Sequence, residues 1–171
     1  MSLLADLRHE YARHKRLVDE ALSAIPEEAF FTRPAPQVNP IALIVKHIAG
    51  NLLSRWTDFL TTDGDKPTRD RDGEFLLTED DTPEALLAAW NNGWQACFST
   101  IDSLQETDLN RIVMIRGESH TVQQALLRGA THVSYHVGQI LYLARLLNPE
   151  SRWLTIAPGA SRTHSGQYRK G

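Results

Sequence analysis

The chain has one cysteine and two methionines in 171 residues, and its charges nearly balance at a net −3. A lone thiol cannot close an internal disulfide, so an apolar core must hold the fold without covalent staples. Basic residues are scattered along the chain and form no stripe, which predicts no electrostatic platform for nucleic acid. No apolar run approaches the roughly 18 residues of a membrane span. The opening MSLLADLRHEYARHK meets charge by Asp6, which predicts no signal-peptide apolar region. A glycine-rich phosphate loop and a G-x-S-x-G elbow are also missing. These absences predict a cytoplasmic protein, folded as a single domain over residues 1–171, with neither nucleic acid nor membrane among its partners.

What is present is helical periodicity. Leu4, Leu7, Tyr11, His14, Val18, Ala21 and Ile25 recur at spacings of three and four, the stripe of an amphipathic helix that Pro26 ends. The stretch EEAFFTRPAPQVN reads as irregular. Asn39 and Pro40 then predict the cap and first position of a second helix running to about Leu60, with His47, Asn51 and Ser54 at the edge of its apolar stripe. The connection TTDGDKPTRDRDGEFLLTEDD is too polar to pack alone and reads as a solvated loop, long enough for a functional or crossover segment.

Thr82, Pro83 and Glu84 open a third helix to about Leu104, in which Cys97 is expected to be an inert buried thiol. RIVMIRGESHT has the short alternation and glycine turn of a small extended or hairpin element. Thr121 caps a last helix that runs to about Leu147, and an irregular tail follows from about residue 148, with Trp153 as its anchor. Four long periodic segments predict an all-α four-helix bundle with one or two long connections.

Three histidines carry the chemistry. His132 and His136 stand four apart on one helix, so both imidazoles can reach a single ion. The helical wheel puts His136 well inside the inner face and His132 toward its margin. A hydrogen-bonded His132–His136 pair is the alternative, since two buried imidazoles need partners in any case. HVSYH lacks the glutamate of the H-E-x-x-H pattern, which argues against protease chemistry. His47 lies on the second helix, and spacing alone does not bring it to the pair.

Other residues compete for a role. His14 is a candidate fourth ligand or proton carrier, with Tyr11 one turn before it. Tyr135 and Gln139 flank the histidine pair, and Glu118 and His120 precede the last helix. TRDRDGEFLLTE aligns with a calcium loop from Thr68 through Asp70, Asp72 and Gly73 to Glu79, but its first acid is missing.

The run NPIALIVKHIAGNLLSRWTDFLTTDGDKPTRDRDGEF, followed by HTVQQALLRGATHVSYHVGQILYLARLL, resembles the DinB/YfiT-like superfamily of candidate metalloenzymes, especially a branch described only as a domain of unknown function. The resemblance spans almost the whole chain. It implies an up-up-down-down four-helix bundle with a long crossover, commonly a homodimer, whose metal is held by His47, His132 and His136. Such a triad suits Zn²⁺ or Ni²⁺ and leaves a position for water or substrate. Some relatives transfer a low-molecular-weight thiol, such as bacillithiol or mycothiol, to small electrophiles. The resemblance therefore implies a metal-dependent thiol S-transferase. A metal-dependent hydrolase and a non-catalytic metal-binding stress protein are the alternatives.

Overall fold

A computed structural model describes residues 2–163 of the chain. Its elements in chain order are α1 (Leu3–Ala24), α2 (Glu27–Phe31), α3 (Ile41–Trp56), α4 (Pro83–Ser103), β1 (Ile112–Ile115), β2 (Glu118–Thr121) and α5 (Val122–Leu147), with short 3₁₀ turns at Gly73–Phe75 and Glu106–Asp108. The protein is mostly helical. The four long helices pack α3 against α4, α1 against α5, α3 against α5 and α1 against α4. No helix among the described residues is long and apolar enough to cross a membrane.

Local chemistry sets most boundaries. Thr82 accepts the Ala85 N–H at the start of α4, and Thr121 with Gln124 forms a reciprocal capping box at the start of α5. Both starts were legible. The second long helix begins one residue later than its cap residues suggest, because Pro40 occupies the cap and Asn39 lies outside it. It also stops at Trp56, short of Leu60. The Thr57 N–H and hydroxyl both bond to the Leu53 carbonyl, and Asp58 turns to φ +48°, which no helix can continue. The irregular stretch after Pro26 contains a short helix, α2, that buries Ala29 and Phe30.

The core is aromatic. Tyr11, Trp56, Trp90 and Trp94 are fully buried, with edge-on contacts at ring-centroid separations of 5.9 Å for Tyr11–Trp56, 6.2 Å for Tyr11–Trp94 and 5.5 Å for Trp90–Trp94. Truncating one of these tryptophans would cost roughly 3–5 kcal/mol. Tyr11 also ties α1 to α5, its hydroxyl donating to the Leu126 carbonyl at 2.9 Å. Burial raises its pKa, so it stays neutral. Gly129 permits this approach, since a Cβ there would overlap the Tyr11 hydroxyl and lie 3.0 Å from Trp56 Cζ2. That contact sets the depth of α5 one turn before His132.

The predicted hairpin is present, β1 and β2 pairing antiparallel from Ile112↔Thr121 to Ile115↔Glu118. Its turn residues, Arg116 and Gly117, both have positive φ, at 56° and 73°, the arrangement of a two-residue turn matched to strand twist. Asp63 holds that turn from the α3–α4 connection, accepting the Arg116 N–H at 2.8 Å and the Gly117 N–H at 2.7 Å. Beyond α5 the tail is irregular as expected, with the Arg145 guanidinium 4.2 Å above the Trp153 ring. The end of that tail, 164–171, lies outside the described residues.

Candidate metal centre

α3 is buried almost all round, from Ile41 to Ala49 and again through Trp56. On such a helix a polar residue needs a reason. His47, Asn51 and Arg55 follow one another at four-residue spacing, so they share one face, and all three are buried. His47 is 3 % exposed and belongs to the interior, not to the stripe's edge where periodicity puts it. That face looks across at Arg128, Thr131, His132 and Tyr135 on and beside α5, and between them lies a cavity of about 400 Å³.

His47 and His132 line this cavity, and the His136 imidazole converges with theirs beside it. One ring nitrogen from each lies within 4.8 Å of the others, a group that could hold a metal ion. His47 Nε2 and His132 Nε2 are 3.3 Å apart. A tetrahedral ion with metal–nitrogen bonds of about 2.0–2.1 Å requires ligand edges of roughly 3.3–3.4 Å, so this pair already has the spacing. His132 and His136 are both half-buried, so the wheel's contrast between an inner His136 and a marginal His132 does not hold.

Hydrogen bonds choose the tautomers. The His47 Nδ1–H donates to Glu74 Oε2 at 2.8 Å, and the His136 Nδ1–H donates to Gln139 Oε1 at 2.8 Å. Both bonds leave the Nε2 lone pair of their ring free to face the common point. His132 is different, because its Nδ1 is buried with no partner. Either assignment of its proton leaves a nitrogen unsatisfied or two lone pairs opposed, and a cation among the three rings would remove the conflict. The donor set therefore fits a metal. Burial first, then the nearby His136 and His47 and the charges of Arg55 and Arg69, push the His132 pKa down to about 3. Burial likewise lowers that of His136. Neutral imidazole is the ligand form, so these shifts favour binding at ordinary pH.

Glu74 is the residue that sequence reasoning missed. It sits in the connection read as a solvated loop, yet it is 6 % exposed and bonded on both oxygens. Arg69 Nε donates to Oε1 and Nη2 to Oε2, each at 2.7 Å, a two-pronged pairing. Burial works to raise the Glu74 pKa, but the hydrogen bonds from His47 and Arg69 and the Arg69 charge outweigh it and hold the carboxyl below its usual range. Phe75 stacks on the other side of His47 at 4.7 Å between centroids. Carboxylate, imidazole and metal in line is the usual means of fixing a ligand ring and raising its basicity.

The connection is stapled to α3 on both sides of Glu74. The Ser54 hydroxyl bonds to the Gly64 carbonyl and the Lys66 N–H, while Lys46 Nζ reaches the Leu76 carbonyl and Asp81. Gly50, one turn after His47, is what lets Glu74 lie against the helix. A Cβ at that position would collide with the Glu74 carboxylate, 2.8 Å from its Cδ.

The other sequence candidates fall away from the site. His14 is not among the three rings, and its Nδ1 is buried without a partner on α1. Tyr11 serves packing and the tie to α5. His120 accepts from Arg128 Nη1 at 2.9 Å through Nε2 and donates from Nδ1 to the Glu118 carbonyl. Tyr135 lines the cavity and packs on His132 and His136, while Gln139 orients His136. In the calcium-like segment, the Asp70 carboxylate accepts the Gly73 N–H, and the histidine triad is the sole metal-competent group found among the described residues. Cys97 is fully buried, and desolvation raises its pKa far above that of a reactive thiol.

A family model described as "Protein of unknown function (DUF1572)" matches residues 1–160. The crystal structure of a conserved protein from Enterococcus faecalis superposes with a TM-score of 0.64 at 18 % identity, covering 86 % of this chain and 98 % of that one. A DinB-like protein, YjoA, from Bacillus subtilis superposes with a TM-score of 0.63 at 17 % identity, covering 86 % and 96 %. At these identities the likeness is one of fold, and the fold is DinB-like. No curated protein sequence matches the chain.

Proposed function

Because the chain belongs to this family of unknown function, DUF1572, we propose its function from the site itself: a metal-dependent enzyme in which His47, His132 and His136 hold one divalent ion, Zn²⁺ or Ni²⁺, and a low-molecular-weight thiol is transferred to a small electrophile. The observation that carries this reading is the meeting of three imidazoles, two of them with fixed tautomers, beside a cavity of about 400 Å³ that His47 and His132 line. Three protein nitrogens leave a coordination position for substrate, which is the pattern of a reactive centre. When bound, the ion would supply the charge that keeps a thiol sulfur as thiolate at neutral pH.

The chain's residues do the remaining work. Glu74 and Gln139 hold two rings in their ligating tautomers, Phe75 clamps one of them, and Arg69 keeps Glu74 ionised. Tyr135 covers His132 and His136 at the cavity edge. Hydrolysis is less well supported, because it needs a base beside a water, and no carboxylate lines the cavity. Glu74 faces away, committed to His47 and Arg69. A non-catalytic metal-binding stress protein would suit a fourth protein ligand, and His14 does not supply one.

We read the four long helices as an up-up-down-down bundle forming one domain, with 57–82 as its long crossover. The cytoplasm, where thiols are kept reduced, is the compartment this chemistry suits. A second copy would cover the strip that α5 exposes at Leu127, Tyr142 and Leu146, and light scattering on the eluting protein tests for that dimer.

Elemental analysis of untagged protein tests the centre. One divalent ion per chain, lost in His136→Ala, is the expected result, followed by metal-dependent consumption of thiol in the presence of an electrophile. A wild-type protein that carries no metal and takes up neither Zn²⁺ nor Ni²⁺ would end the proposal.

A further inference from the structure

Four guanidinium groups line the cavity beside the imidazoles: Arg55 from α3, Arg71 from the 57–82 connection, Arg116 from the hairpin turn and Arg128 from α5. No acidic side chain is among the lining residues. Arg55 is 8 % exposed, two turns along α3 from His47, and its Nε and Nη1 are buried with no hydrogen-bond partner. A guanidinium does not give up its proton, so this charge and its donors must be met by something outside the described residues. The charged groups that act on it are mostly of its own sign, namely Arg128, Arg69 and Arg116.

The other three arginines are free to help. Arg116 is bridged only by Nε, to Asp65 at 3.1 Å, and Arg128 meets His120 Nε2 at 2.9 Å with Glu118 no nearer than 3.9 Å. Arg71 makes no ion pair among the described residues. One buried guanidinium faced by three exposed ones of the same sign calls for a counter-charge, and a planar fork of N–H donors matches the oxygens of a carboxylate or phosphate.

We infer that the cavity binds a small molecule bearing an oxyanion, a carboxylate or phosphate group that pairs with Arg55 and Arg128 while the rest of the molecule reaches the imidazole triad. This names the substrate class for the electrophile and rests on the proposed function only for what the triad does. The volume suits it, since small-molecule sites begin at about 300 Å³ and this one has about 400 Å³. His120 is a positioning residue here. Its Nδ1–H donates to the Glu118 carbonyl, so its Nε2 is the acceptor that holds Arg128 toward the cavity.

Calorimetric titration of the chelator-treated full chain with inorganic phosphate, and separately with succinate, tests the site without any metal. Saturable binding of at least one probe is expected, weakened about tenfold or more in Arg128→Ala and abolished in Arg55→Met. Tighter binding of phosphate would assign a phosphorylated substrate, and tighter binding of succinate a carboxylate. Arg55→Met should also melt higher than wild type in the absence of anion, because an unpaired buried charge is gone. Should that variant not fold, the exposed Arg128→Ala carries the test. Absence of binding by both probes, or binding that neither arginine substitution weakens, would overturn the inference. Metal uptake, measured separately, can fail while anion binding succeeds, so the two readings fall independently.

Discussion

Glu74 Oε2 accepts a hydrogen bond from His47 Nδ1 at 2.8 Å across 27 residues of sequence, and both side chains are buried. The carboxylate therefore selects which nitrogen of His47 faces the other two rings. Replacing it by glutamine removes the charge but keeps the shape. Metal affinity of Glu74→Gln should drop roughly 10–100-fold, measured by competition with a chromophoric chelator, with the far-ultraviolet circular dichroism unchanged. Wild-type affinity in this variant would show that His47 needs no such orientation.

Gly50→Ala tests the same pairing from the opposite side. The new methyl group would occupy the space of the Glu74 carboxylate, while alanine in place of a helical glycine contributes about 0.5–1 kcal/mol in the other direction. The expectation is a protein that melts close to wild type but binds metal less tightly. A variant that keeps full affinity would mean that Glu74 can move without disturbing His47.

The metal-free protein should lose stability in acid. His132 has its pKa pushed down to about 3 and that of His136 is lowered as well, so between the unfolded value near 6.5 and the folded value the unfolded chain binds more protons. The stabilisation is complete above about pH 6.5 and is lost as pH falls toward about 3. Glu74, with its depressed pKa, adds a loss of the same sign as pH falls through its folded value. Urea midpoints recorded across this range should decline, and His132→Phe should flatten the decline. An equal slope in that variant would remove His132 as its cause.

Asp63 joins two segments about 50 residues apart, receiving N–H bonds from Asp65, Arg116 and Gly117. Asp63→Ala should cost about 1–3 kcal/mol and accelerate amide exchange at Arg116 and Gly117. Unchanged exchange at those two amides would show that the turn holds itself.

Cys97 should resist alkylation by iodoacetamide in the native protein and react readily once urea unfolds it, since burial both shields the thiol and raises its pKa. Rapid native labelling would contradict the packing around α4.

Helix starts and the histidine pair were legible because each is written in residues a few positions apart: Thr82 before Pro83, Thr121 before Gln124, His132 before His136. The hairpin was legible from Gly117 for the same reason. Glu74 was not, because one acid in a loop rich in acids looks like solvation until α3 is laid against it. The arginine-lined cavity was hidden more deeply. Arg55, Arg71, Arg116 and Arg128 come from four separate segments, so a scatter of basic residues along the chain says nothing about their gathering in space. One signal was available, the four-residue spacing of His47, Asn51 and Arg55 along one face of a mostly apolar helix.

The stapling of the 57–82 connection to α3 makes this segment a proteolytic reporter. Arg69 is buried against Glu74, so trypsin can cut after it only when the segment lifts from the helix. Lifting breaks the Glu74–His47 bond, and an ion bound to His47 holds that bond shut. Saturating metal suppresses such openings by the ratio of its affinities for the closed and lifted states, roughly 10–100-fold. The rate of tryptic cleavage after Arg69 thus reads the occupancy of a centre to which the segment contributes no ligand.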